Sequence, residues 1–293
     1  MLNRAPAVTA LDKEMWRKIL SRCSLEVPVS RAADFVPAHD VFQKGSFVFL
    51  PHISDLDSRG MENASRHLVD SGYVPVPHVG ARHFASESAF LSHLRGAREG
   101  GARHLLVLSG DRDAPAGPFT SALNILAHGA IKDFGFQRVF ISGYPEGHQR
   151  ISNDALERAT RSKIEVMQDS GVNVSIVTQF GFASSAYRIW LHRIRQNGIR
   201  CPIRLGLAGV TSIPSLLKYA ALCGIGPSLS VLRKRSGAIA GLVKGYEPSG
   251  LIAELNRELD IANHDQLNLH LFPFGGAAKT IEWFRTRIGA PNA

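Results

Sequence analysis

Cysteine is scarce in this chain, with three residues in 293: Cys23, Cys201 and Cys223. An odd, widely spaced set with no C-x-x-C pair excludes a disulfide-stapled scaffold and suits a reducing compartment. The glycine-rich turns of the common nucleotide folds are also missing. No P-loop occurs, and the first strand candidate runs into Pro28-Val29-Ser30 rather than G-x-G-x-x-G. An open dinucleotide-binding sheet is therefore not expected. There is no G-x-S-x-G elbow for a serine nucleophile. No stretch of about 20 apolar residues could cross a bilayer, and the N-terminus lacks the apolar core of a signal peptide, so the cytoplasm is the expected location. Acidic residues are short of basic ones, 25 against 34, giving a net charge of +9. The excess is scattered. Its densest cluster, Arg233-Lys234-Arg235, is too short for a nucleic-acid arm, so the charge reads as solvated surface without a nucleic-acid partner.

Hydrophobic residues make up 44% of the chain and charged residues 20%, enough for a sizeable core and no sign of disorder. Short apolar runs recur at 24–29, 46–52, 74–80, 104–110, 138–145, 174–180, 201–209 and 268–275. Their length and β-branched content favour buried strands. Between them, apolar spacing near 3.6 predicts helices at 61–71, 86–100, 119–134, 153–170, 184–197 and 213–223, with Ser86 as an N-cap. Glycine follows most of them, at Gly72, Gly100, Gly135, Gly171, Gly198 and Gly224. Strand, helix, glycine and strand, repeated eight times, predicts a single (β/α)₈ barrel over residues 1–293. The stretch 224–266 exceeds one helix, so an extra helical segment or lid is expected between strands seven and eight.

In this fold chemistry gathers at the C-terminal ends of the strands. Those positions hold Glu26, His52, His78, Asp111, Tyr144, Glu146, His148, Thr178 and Gln179, while strands seven and eight contribute glycine and hydrophobic residues. Glu26 lies between Leu25 and Val27, where burial raises a carboxyl pKa and readies a proton for donation. A structural carboxylate paired with an arginine is the plain alternative. Gly110-Asp111 can approach a flat ligand and accept from a ring N–H, and is also an ordinary turn. Gln179 can both donate and accept. His78, His83, His104 and His148 could serve a metal, but strand one offers Glu without the His-x-His of barrel hydrolases, and no metal is expected.

These residues, in this order, resemble the methylenetetrahydrofolate reductase family. The resemblance rests on Leu108-Ser-Gly-Asp111, Gly143-Tyr-Pro-Glu-Gly-His148, Val177-Thr-Gln-Phe180, Pro77-His78 and the strand from Pro202 to Leu207. It implies FAD at the barrel mouth, a folate substrate, and NAD(P)H as a co-substrate. It makes Glu26 the general acid at folate N10 and Asp111 a catalytic group near flavin and pterin. Gln179 and Ile213 would contact substrate. His78, Leu108, Ser109, Gly110, Asp111, Phe119, Tyr144 and His148 would wrap the cofactor. Glu157, Thr160 and Lys163, spaced i, i+3, i+6 along one helix, would contact it too, with Lys163 at the pyrophosphate. Departures from the family pattern are equally specific: Ser109 replaces an Arg, Pro51 a Thr, and Ile213 a stacking Phe, while Pro273-Phe274-Gly275-Gly276 replaces T-L-N-R. The expected reaction interconverts 5,10-methylenetetrahydrofolate and 5-methyltetrahydrofolate. A flavin-free folate methyltransferase barrel and a non-catalytic flavin or folate sensor are the alternatives, and oligomeric state stays open.

Overall fold

The computed structural model of the chain describes residues 11–51, 58–222 and 245–290. The apolar runs form eight strands: β1 (Ser24–Glu26), β2 (Phe47–Leu50), β3 (Val74–Gly80), β4 (His104–Leu108), β5 (Arg138–Gly143), β6 (Asn173–Phe180), β7 (Ile203–Ala208) and β8 (Leu267–Phe272). Each pairs in parallel with the next, and β1 pairs with β8, so the sheet closes into the expected barrel. Parallel neighbours need crossovers rather than hairpins, and helices supply them.

The helices are α1 (Lys13–Leu20), α2 (Ser58–Asp70), α3 (Glu87–Glu99), α4 (Ala122–Ala127), α5 (Ala130–Asp133) and α6 (Asn153–Asp169). They continue with α7 (Ser184–Gln196), α8 (Ile213–Leu222), α9 (Ser249–Leu259) and α10 (Ala277–Ile288). Ser86 caps α3, accepting from the Ala89 N–H at 3.2 Å. The helix expected over 119–134 is instead two, because Gly129 sits at φ 86° and breaks the ladder. Its start moves to Ala122, where Ser121 and Asn124 cap each other reciprocally. Strand β1 stops short of residue 29 because Pro28 has no N–H to pair and leads into a 3-10 turn, Val29–Asp34. Helices α1 and α10, which the sequence pattern left unassigned, pack together through Trp16 and Trp283, edge to face at 5.6 Å. The extra helix expected in 224–266 is α9, while 224–244, His52 and Cys223 lie outside the described residues. Among the described residues no helix is long and apolar enough to cross a membrane.

Two apolar layers build the molecule. Between sheet and helices lies the larger core, which includes Phe42, Leu50, Phe90, Ile141, Tyr187 and Phe284. Inside the barrel, Phe49, Val76, Leu106, Phe140 and Val177 form a compact plug. Fully burying one such side chain contributes about 1.5–3 kcal/mol. Strand side chains alternate in direction, so residues two positions past the plug also point inward, at the C-terminal mouth.

Candidate active site

Glu26, the last residue of β1, keeps about 15% of its side chain exposed. Its Oε1 lies 3.5 Å from Nε2 of His78 on β3 and 3.5 Å from Nε2 of His270 on β8. The Phe49 ring forms the apolar floor, edge-on to both imidazoles with centroids 6.1 and 4.5 Å away. Burial raises the Glu26 pKa above its ordinary value, and the charge His78 can carry only partly opposes this. His270 is fully buried. Burial and the nearby Arg204 charge push its pKa well below 6.5, so its ring is neutral. Ser24 Oγ lies 2.9 Å from His270 Nδ1 and donates to the Leu269 carbonyl at 3.3 Å. With that hydroxyl proton committed, Nδ1 carries the imidazole hydrogen and Nε2 turns a lone pair toward Glu26, a tautomer inferred from the bonding network. At 3.5 Å neither imidazole contact is a strong hydrogen bond, so burial rather than a partner is what holds the proton on Glu26.

Asp111 occupies a separate part of the rim, on the loop after β4. Its side chain is 92% exposed, and its Oδ1 pairs with His83 Nε2 at 2.7 Å. His83 ends the short 3-10 turn after β3, and its neighbour Arg82 ties the loop down through the carbonyls of Thr120 and Arg112 at 2.8 and 3.2 Å. Gly110 makes the pairing feasible. It adopts φ 90°, and a Cβ there would come within 2.8 Å of the His83 ring. Ser109 accepts from the Ala122 N–H at 3.2 Å, while Leu108 packs beside the barrel plug.

Gln179 stands at a β-bulge, since the register between β6 and β7 shifts between Val177 and Phe180. The Thr178 hydroxyl accepts from the Gly206 N–H at 2.8 Å and donates to the Gln179 carbonyl at 2.9 Å. Any side chain at Gly206 would collide with the Thr178 carbonyl oxygen, so glycine on β7 permits the bulge on β6. Bulges re-aim side chains beside active sites. After β5, Tyr144 and His148 pack edge to face at 5.7 Å around the turn at Gly147, and Ser142 donates to the Tyr144 hydroxyl at 3.0 Å. Glu146 turns inward, accepting from the Phe182 N–H at 3.3 Å, with its other oxygen buried and unpaired among the described residues.

The remaining expected contacts lie in other surroundings. Phe119 is 6% exposed and packs against Phe90 and His128 in the outer layer. On α6, Glu157 turns toward α7, where it meets Arg193 and Asn197. Thr160 donates to the Leu156 carbonyl in its own helix. Lys163 forms no ion pair among the described residues, and burial lowers its pKa. Ile213, first residue of α8, is 7% exposed and so presents almost no surface for stacking.

The structure thus gathers Glu26 and His78, sets Asp111 beside His83, and brings in groups the sequence pattern passed over. His270 contradicts the expectation that strand eight offers only glycine and hydrophobic residues. Its signal was the pair of polar residues, Asn268 and His270, that alternate with the leucines of Leu267–Phe272, LNLHLF, on the inward-facing side.

A profile described as Methylenetetrahydrofolate reductase matches residues 59–231. Methylenetetrahydrofolate reductase (NADH) 1 of Arabidopsis thaliana is 26% identical over 139 residues, 43% of this chain and 23% of that protein. A probable methylenetetrahydrofolate reductase (NADH) of Oryza sativa subsp. japonica is 24% identical over the same shares. The chain thus spans under a quarter of the length of the curated relatives it matches. A solved structure, an uncharacterized protein from Clostridium thermocellum that binds two copies of 5-methyl-5,6,7,8-tetrahydrofolic acid, aligns over 94% of this chain and 96% of that one. Its TM-score is 0.59 and its identity 11%, a likeness of fold. With more than half of its length inside the matching profile, and with β3 to α8 carrying the motifs in register, this chain belongs to the methylenetetrahydrofolate reductase family.

Proposed function

We propose that the chain is an FAD-dependent oxidoreductase that interconverts 5,10-methylenetetrahydrofolate and 5-methyltetrahydrofolate. The observation that carries the reading is Glu26, a carboxyl driven toward its neutral form between His78 and His270 at the mouth of a barrel of this family. Opening the methylenetetrahydrofolate ring to its reactive iminium requires a proton on the departing N10. Burial keeps Glu26 protonated above the ordinary carboxyl range, so it has a proton to supply. His270, neutral and oriented by Ser24, keeps an uncharged acceptor beside that carboxyl and so does not pull the proton away. Asp111, fixed by His83 at the open rim, would face the cationic iminium or a ring N–H, and Gln179 would donate and accept along the pterin edge.

The rim also fits the cofactor. Gly110 presents bare backbone and Tyr144 and His148 offer aromatic surface, while on the outer helix α6 Lys163 is a partly buried ammonium with no ion pair among the described residues, suited to a pyrophosphate that reaches it. FAD held there supplies hydride transfer. Leu108, Ser109, Gly110, Asp111, His78, Tyr144 and His148 would bind it, and Phe119 before α4 and Glu157 and Thr160 on α6 would support its outer side. NAD(P)H is the proposed second substrate, with Ile213 in place of a stacking ring. The Clostridium thermocellum protein shows that this fold can hold a methylated tetrahydrofolate.

The test is to reconstitute the chain with FAD, remove excess, and follow anaerobic bleaching of the bound flavin by 5-methyltetrahydrofolate and by NADH separately. Retained flavin bleached by the folate supports the reading. Folate binding without flavin retention would favour the methyltransferase alternative and overturn it.

A further inference from the structure

The opposite end of the barrel carries a cluster that the mouth does not use. Phe47, His104 and Arg138 stand two residues before Phe49, Leu106 and Phe140 on their strands and so share the inward face. His104 and Arg138 are register partners on β4 and β5. The Arg204 guanidinium of β7 lies 4.7 Å over the Phe47 ring, and the His104 ring meets the same phenyl edge-on at 5.2 Å. Arg22, just before β1, offers its backbone carbonyl to Arg204 Nη1 at 3.1 Å. One guanidinium and an imidazole therefore flank one aromatic ring, with Arg138 in register beside the imidazole, while the Arg22 guanidinium is held by the carbonyls of Ile261, Ala262 and His264.

No carboxylate of the described residues pairs with them. Among the described residues, none of the ion pairs includes Arg22, Arg138 or Arg204. Two nitrogens of the cluster, Nε of Arg138 and Nδ1 of His104, are buried without a hydrogen-bond partner among the described residues. Buried polar nitrogens are rarely left so, and two of them on register partners call for an ion or water. Burial, with Arg138 nearby, drives His104 down to about 4, and burial with the Arg138 and Arg22 charges brings Arg204 down to about 10. The cations repel each other where they stand.

We infer that the N-terminal end of the barrel binds a small oxyanion of the phosphate class between Arg138 and Arg204, with His104 at its edge. Guanidinium forks match tetrahedral oxyanions, and one anion would meet the orphaned donors and relieve the repulsion. The apolar plug of Phe49, Leu106 and Phe140 closes the barrel above, so only a free anion or a terminal phosphoryl group fits. This end of a barrel serves stability rather than chemistry, so binding stabilises the fold. The inference does not depend on the reaction at the mouth.

The test uses the full chain at constant ionic strength, replacing chloride with inorganic phosphate or, in a second arm, with glycerol phosphate. Thermal midpoint should rise with phosphate, and calorimetry should give one saturable site. A response to glycerol phosphate as well identifies a site open to phosphate esters, and a response to phosphate alone identifies a free-anion site. Arg138→Gln should weaken binding about tenfold or more, whereas Lys163→Gln, at the proposed cofactor site, should leave it intact. The His104 ring resonance, assigned with His104→Gln, gives a readout in the unmutated fold and should shift with phosphate and not with chloride. Phosphate acting no better than chloride, an unmoved His104 resonance, or a response lost in Lys163→Gln but kept in Arg138→Gln would each overturn the proposal.

Discussion

Glu26 of β1 and His270 of β8 meet at 3.5 Å across the seam where the first and last strands pair. Burial drives both toward their neutral forms, the carboxyl upward and the imidazole downward. An uncharged acid thus sits beside an uncharged base, with the Ser24 hydroxyl setting the ring's orientation.

That relationship makes the folate half of the proposed reaction depend on Glu26 and the nicotinamide half independent of it. Glu26→Gln keeps shape and hydrogen bonding but cannot donate an acidic proton, a loss worth ~10²–10⁴-fold. Stopped-flow on the FAD-loaded variant should show NADH bleaching intact and reoxidation by methylenetetrahydrofolate collapsed. Wild-type rates in both halves would make Glu26 a structural carboxyl.

The same substitution should change how stability varies with pH. Folded Glu26 holds its proton more tightly than the unfolded chain, whose ordinary value is 4.5. Between those two values the native state binds more protons, so this residue's contribution falls as pH rises through its folded pKa. Each unit of upward shift costs about 1.4 kcal/mol above that window. Relative to wild type, Glu26→Gln should therefore gain stability toward pH 8 and lose the advantage below 4.5, read by denaturant unfolding across pH. A difference that stays flat with pH refutes the buried-acid reading.

Gly206 should tolerate no side chain. Gly206→Ala places a methyl against the Thr178 carbonyl and 3.0 Å from the Gln179 carbonyl carbon. Overpacking of this kind costs about 1–3 kcal/mol, and relief can come only by flattening the bulge that aims Gln179. The expected result is a lower melting temperature together with a raised KM for folate. A variant that melts lower but keeps KM would separate the bulge from substrate binding.

Lys163 carries a charge that the described protein does not neutralise. Lys163→Glu should weaken FAD retention by ~2–4 kcal/mol, since it exchanges a phosphate partner for a like charge. Lys163→Met should weaken FAD as well yet stabilise the FAD-free protein, because an unpaired, partly buried ammonium is costly. Equilibrium flavin titration and melting curves check both, and an unchanged FAD affinity would remove Lys163 from the cofactor site.

Much of this architecture was legible in the residue order because a buried parallel strand is an apolar run and a barrel repeats it eight times. The boundaries that moved did so for local reasons, such as Pro28 ending β1 and Gly129 dividing the helix before β5. The site was less legible. Glu26 stood out as a carboxyl among aliphatics, but His270 was masked by the leucines that alternate with it. The His83–Asp111 pair joins loops 28 residues apart, and the Thr178–Gly206 bond joins neighbouring strands the same distance apart. Such partners are chosen by strand register and loop length, which no local window of sequence contains.

The seam between β1 and β8 has a consequence for how the protein is made. Ser24 and His270 are separated by 246 residues, so the acid pocket does not exist until the ribosome has released nearly all of what is described here. Until β8 emerges, β1 and β7 are unpaired edges open to other strands, and Glu26 has only half its surroundings. Contacts this distant in sequence close slowly. A growing polypeptide of this kind therefore lacks the Glu26 pocket and stays exposed to misassembly for most of its synthesis, until the last strand docks.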